Sequence, residues 1–167
     1  GLKLRDTKLH NGILFNCEAW SSTSDKHMKR LEQVDVAALK ALVAGHSKCP
    51  TAFYFLEFGT LMIRHKVMIK RLIYHHHIIS RGDDELIKKV YLKQKDSYCK
   101  GDWLQTLRTD FQFIEEDMNE EEICEMSKAL YKKKIKDLIN KSVFKFYMNL
   151  KQTHSKLDAV NYSKLEI

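Results

Sequence analysis

The sequence predicts an all-α protein, a multi-helix bundle of about six to eight helices. Three observations predict it. One Pro and six Gly in 167 residues leave too little turn chemistry for a β architecture. Apolar residues recur at three- and four-residue steps through most of the chain. Gly, Ser/Thr and Asp/Asn fall at the joints between those runs, where helices are capped and ended. With 44% hydrophobic residues, a chain of this length can bury a real core, as one domain or two small lobes.

The elements follow in order. Leu2 to Trp20 reads as a first helix. Ser21 to Ser24 offers N-caps for a second, Asp25 to Ala44, which Gly45 ends; Met28, Leu31, Val34, Ala38 and Leu42 make its expected buried face. Pro50 starts a short element, Thr51 to Phe58, whose periodicity is ambiguous; it is taken as a helix, closed by Gly59. A long helix from Thr60 to about Ser80 places Leu61, Met68, Leu72 and Ile79 on one side, with Arg64, Lys66, Lys70 and Arg71 largely elsewhere. Gly82 stops it, and Asp83 opens a helix through Ile87, Val90 and Tyr91. After the turn from Cys99 to Asp102 comes a helix with Trp103, Leu107 and Phe111. Asn119, with Glu122 three residues on, resembles a capping box for a helix carrying Ile123, Met126 and Leu130. Whether that helix continues unbroken through Tyr131 to Leu150 is open from sequence.

Charge is distributed unevenly behind the net +7. Residues 1–80 hold 12 Lys/Arg against 6 Asp/Glu, residues 81–127 hold 7 against 13, and residues 128–167 hold 10 against 3. Two basic lobes, 1–80 and 81–167 by chain division, thus flank an acidic middle. Basic helical faces can neutralise phosphates, releasing counterions and making affinity steeply salt-dependent. The cluster Arg64, Lys66, Lys70 and Arg71 is expected to bind a duplex, since Arg can fork onto phosphate oxygens. Lys132, Lys133, Lys134 and Lys136 are a second contact, or a solvated face. Tyr74, beside the first cluster, is the best candidate for base stacking; most other aromatics sit at core spacing.

No segment suggests a membrane span, because charges interrupt every apolar run, and residues 2–10 lack the apolar core of a secretory signal. The four cysteines, Cys17, Cys49, Cys99 and Cys124, lack C-x-x-C spacing, which argues against a zinc ribbon or a disulfide framework and for a reducing intracellular setting, nucleus or cytoplasm. No catalytic, cofactor or metal site is expected. His75, His76 and His77 are adjacent, so their side chains diverge around a helix and cannot share one ion. The acidic run Glu115, Glu116, Asp117, Glu120, Glu121, Glu122 and Glu125 is expected to complement a helix start or to pair with the Lys run some ten residues later. His46 and Cys49 lack a nearby orienting carboxylate, and there is no Gly-rich phosphate loop.

Taken in order, ILFNCEAW at Ile13 to Trp20, LEQVD at Leu31 to Asp35, YFLEFG at Tyr54 to Gly59, Ile63-Arg64 and Lys70-Arg71-Leu72 resemble the segment just downstream of the polymerase palm in non-LTR (LINE-type) retrotransposon reverse transcriptases. GDW at Gly101 to Trp103, Glu125 to Lys128 and HSKL at His154 to Leu157 extend the resemblance over most of the chain. It implies a helical thumb and the region behind it, holding an RNA/DNA hybrid or duplex DNA beside the rest of the reverse transcriptase. The family's two-metal site lies on an aromatic-x-Asp-Asp hairpin, which this sequence lacks; Arg81-Gly82-Asp83-Asp84 reads as a helix end and a new start. The expectation is therefore a non-catalytic fragment of an RNA-directed DNA polymerase, consistent with a start at Gly1 without an initiator Met. Two alternatives stand: a retrotransposon-derived helical protein-interaction module without nucleic-acid binding, and a hydrolase that would need His46 and Cys49 to meet a carboxylate.

Overall fold

The computed structural model describes residues 2–21, 24–42, 51–97, 100–116 and 118–153, with the backbone alone for 149–153. Ser22, Thr23, Ala44, Gly45, His46, Cys49, Pro50, Cys99, Asp117 and His154 to Leu157 lie outside the described residues. Among those described, eight helices and no strand form an all-α bundle. They are α1 (residues 2–13), α2 (Asp25–Leu42), α3 (Thr51–Glu57), α4 (Ile63–Ile79), α5 (Leu86–Asp96), α6 (Trp103–Ile114), α7 (Glu120–Glu125) and α8 (Lys128–Thr153).

The central element is α4. It packs against α2, α5, α6, α7 and α8 and against a short 3-10 turn, Cys17–Ala19. A helix touched on so many sides cannot keep one apolar face. Ile63, Val67, Ile69, Leu72, Ile78 and Ile79 are buried around its circumference, along with His65, Arg71, His75 and His76. This corrects the expected one-sided helix of Leu61, Met68, Leu72 and Ile79, since Leu61 lies before the helix and Met68 is half-buried. Its many β-branched residues favour a helix weakly by themselves, so burial holds it.

Against α4 lies α8, which presents Tyr131, Ile135, Ile139, Val143 and Tyr147 at four-residue steps. These join Val36, Leu39, Tyr54, Phe55, Leu72, Trp103, Leu107 and Ile123 in the main core. The two lobes expected from the charge pattern therefore share this core rather than each enclosing its own. A smaller cluster, Leu14, Cys17, Ile63 and Val67, roots the 3-10 turn on the start of α4.

Several boundaries follow the sequence chemistry. The Ser24 hydroxyl accepts from the His27 amide at the start of α2. Gly59, at φ +55°, closes α3 as expected. Asn119 caps α7 through the Glu122 amide, 2.8 Å away. Others differ. The first helix stops at Ile13, not Trp20, and Asn16 then takes a left-handed conformation at φ 53°, which Asn tolerates better than most residues. Asp83 does not cap the fifth helix; Glu85 stands at its N-cap in an extended conformation without a side-chain cap bond. The acidic-to-basic helix is broken at Met126, and the Ser127 hydroxyl accepts from Leu130 to start α8 afresh.

The expected buried face of α2 is also corrected. Val34 and Leu42 are exposed, whereas Glu32, Asp35, Val36 and Leu39 are buried. Buried carboxylates need partners, and α1 and α4 supply them. Arg5 grips both Asp35 oxygens at 2.5 and 2.7 Å, and His10 Nε2 meets Asp35 at 2.7 Å. Residues 5–10 form a π-helical segment, whose i to i+5 bonding brings Arg5 and His10 to the same side. These contacts hold the Asp35 carboxyl at about 2, opposing the upward push of burial.

Candidate nucleic-acid interface

A groove of about 790 Å³ runs between α1, α4 and α8. Its construction begins with α8. Lys128, Lys132 and Lys136 are four residues apart and line one wall, so each lies about 6 Å beyond the last along the helix. All three are exposed. Among the described residues, no carboxylate forms an ion pair with any of them.

The floor belongs to α4, with Ile69, Ile73 and Tyr74 between Lys66, Lys70 and His77. Lys66 donates to His10 Nδ1 at 2.8 Å and to Asp6 at 3.1 Å. Burial lowers its pKa from the ordinary lysine value, with Asp6 pulling the other way. Lys70 donates to the Leu14 carbonyl at 2.9 Å. Burial, then Arg81 and Lys128, hold His77 below its usual value, so it contributes less positive charge near neutrality than an ordinary histidine would.

The third side is the chain from Asp6 to Glu18. Two long-range bonds pin its turn. One is the Lys70 bond to Leu14; the other runs from Trp103 Nε1 to the Glu18 carbonyl at 2.8 Å. The GDW segment positions that tryptophan: Gly101 adopts φ +81°, and Asp102 caps α6 by accepting from the Gln105 amide at 2.7 Å. Two acids stand in the groove, Asp6 bound to Lys66 and His10, and Glu18, which has one buried carboxylate oxygen without a partner.

The groove thus brings together Lys66, Lys70, Tyr74, Lys132 and Lys136 from the expected interface. It leaves out the rest. Arg64 makes a two-point bond to Glu32 at 2.6 and 2.8 Å. Arg71 is buried and bonded to Asp110 at 2.6 Å, so the expected phosphate-binding stripe along α4 is corrected to a set of internal ion pairs. Burial pushes Asp110 up to about 6 despite Arg71. Lys133 and Lys134 do not line the groove. Tyr74 is half-buried, packed edge-on against Trp103 and stacked with His77.

Sequence reasoning missed Lys128, though its four-residue step from Lys132 was a visible signal. It also missed Phe15, which is 81% exposed in the pinned turn. The acidic residues pair differently from expectation: Glu115 bonds Lys145, and Glu120 accepts from Tyr91 and Lys95. His75 and His76 are buried rather than surface groups, bonded to the Tyr91 hydroxyl and the Met126 carbonyl respectively. Among the described residues, no group of three or more His, Cys, Asp or Glu is placed to hold a metal ion, and no helix is long and apolar enough to cross a membrane. No family model, no curated protein and no solved structure matches the chain.

Proposed function

We propose that this chain is a non-catalytic nucleic-acid grip, the thumb-like and C-terminal region of a non-LTR retrotransposon reverse transcriptase. It holds an RNA/DNA hybrid or duplex DNA by backbone contacts, next to the palm of the parent RNA-directed DNA polymerase. The observation that supports this reading is the lysine ladder of Lys128, Lys132 and Lys136 without carboxylate partners, facing Lys66 and Lys70 across one groove. Unneutralised cations in a concave site suit a polyanion, and contacts to phosphate position a strand without reading its bases. The resemblance in residue order supplies the class of polymer.

The test is fluorescence anisotropy of the purified chain with a labelled RNA/DNA hybrid and a DNA duplex, at low and physiological salt. Binding that weakens steeply with salt, and weakens again when Lys128, Lys132 and Lys136 become Gln, is the expected result. Absence of binding at low salt overturns the reading. It would favour the second one, a protein-interaction module, for which the specific observation is the exposed pair Leu86 and Val90, one turn apart on α5.

A further inference from the structure

We infer that the groove takes a single nucleic-acid strand, with its phosphates along Lys128, Lys132 and Lys136 and a base stacked on Phe15. This deepens the proposed grip and rests on it. The ladder supplies one cation about every 6 Å along a straight helix, a single row suited to one backbone. Lys66 and Lys70 are tied to α1 and to the Leu14 carbonyl. The free cations therefore lie on one wall, whereas gripping both strands of a duplex calls for cations facing each backbone.

Single-strand binding sites combine such a basic track with an open aromatic ring, because every base has a stacking face. Tyr74 does not offer one freely, since Trp103 meets its ring edge-on at 6.0 Å and His77 stacks on it at 6.2 Å. Phe15 is the most exposed of the large hydrophobic residues. It lies in the chain between Leu14 and Glu18, both of which line the groove. Its turn is held by side chains of two other helices, through Lys70 to Leu14 and Trp103 to Glu18. A ring displayed on a pinned backbone loses little freedom on stacking, so the arrangement is preorganised for a flat ligand.

The experiment titrates the full chain into a labelled oligothymidylate and into a labelled DNA duplex of equal length, across a salt series. Phe15→Ala is expected to weaken single-strand binding about tenfold, leaving the salt slope and the duplex affinity unchanged. Replacing Lys128, Lys132 and Lys136 by Gln is expected to lower the single-strand salt slope by about 2, near 0.7 per lost phosphate contact. Phe15→Trp should retain affinity and show quenched indole emission when the oligonucleotide binds. Unchanged single-strand affinity in Phe15→Ala, or an equal loss on the duplex, overturns the inference. If the Gln variant still loses duplex binding, the general grip survives that failure. If the Gln variant keeps all binding to both probes, the groove reading itself falls.

Discussion

His65 and His75 show how the interior of α4 responds to acid. Both are buried, and burial pushes each imidazole down to about 4. His65 stacks on Phe113, while His75 donates to the Tyr91 hydroxyl, which itself donates to Glu120. Because the unfolded chain takes up these protons near pH 6.5 and the folded chain does so only near 4, their stabilising effect is complete above 6.5. It is lost as pH falls toward 4, by about 3 kcal/mol for each residue. Asp110 acts in the opposite sense: its raised value means that the native state resists its ionisation, so stability falls as pH rises from about 4 to 6. Two histidines outweigh one aspartate. Urea unfolding should therefore show stability rising from pH 4 to 6.5, with the trend reversed in a His65→Phe, His75→Phe variant. Arg71→Met should cost about 3–5 kcal/mol at pH 7, because it leaves Asp110 buried without its cation; a Met pair at both positions should recover most of the loss, as read from denaturation midpoints.

At the scale of the element, α8 has two functions on neighbouring faces. Its apolar steps from Tyr131 to Tyr147 seat it on α4, and its lysine steps from Lys128 to Lys136 face the groove. Ile135→Ala or Ile139→Ala should destabilise by about 2–5 kcal/mol, since both side chains are fully buried. Tyr131 and Tyr147 bury hydroxyls that lack partners. Thermal unfolding of Tyr131→Phe should show no loss, or a gain of about 1 kcal/mol, by removing that unsatisfied group. Much of α8 was legible in sequence, because its period is strong and Asn119 with Glu122 marks the helix before it. The inner faces of α2 and α4 were less legible. Periodicity weighs apolar residues, but Glu32, Asp35 and Arg71 are buried through partners 30 to 39 positions away, a pairing that local patterns do not reveal. The π-helical segment of α1 is hidden for the same reason, since its Arg5 and His10 are organised by a carboxylate on another helix.

For the whole molecule, the acidic middle and the basic ends are not separate bodies. Glu115 reaches Lys145, Glu120 reaches Lys95, and the main core draws from both sides of residue 80. Folding thereby selects which cations remain available. Arg64 and Arg71 are taken up internally, whereas Lys128, Lys132 and Lys136 are left without carboxylates in a groove that α1 and α4 complete. Sequence charge indicated the type of partner and named several of the right lysines. It could not separate structural cations from available ones, because that depends on chain segments as far apart as Asp6 and Lys66. The measurement that bears most directly on the groove is the slope of log affinity against log salt for the RNA/DNA hybrid, compared between the natural chain and the variant with Gln at positions 128, 132 and 136. The account predicts a slope shallower by about 3 in the variant, near 0.9 per lost phosphate contact, with an unchanged unfolding midpoint. Identical slopes and affinities for the two proteins would contradict it.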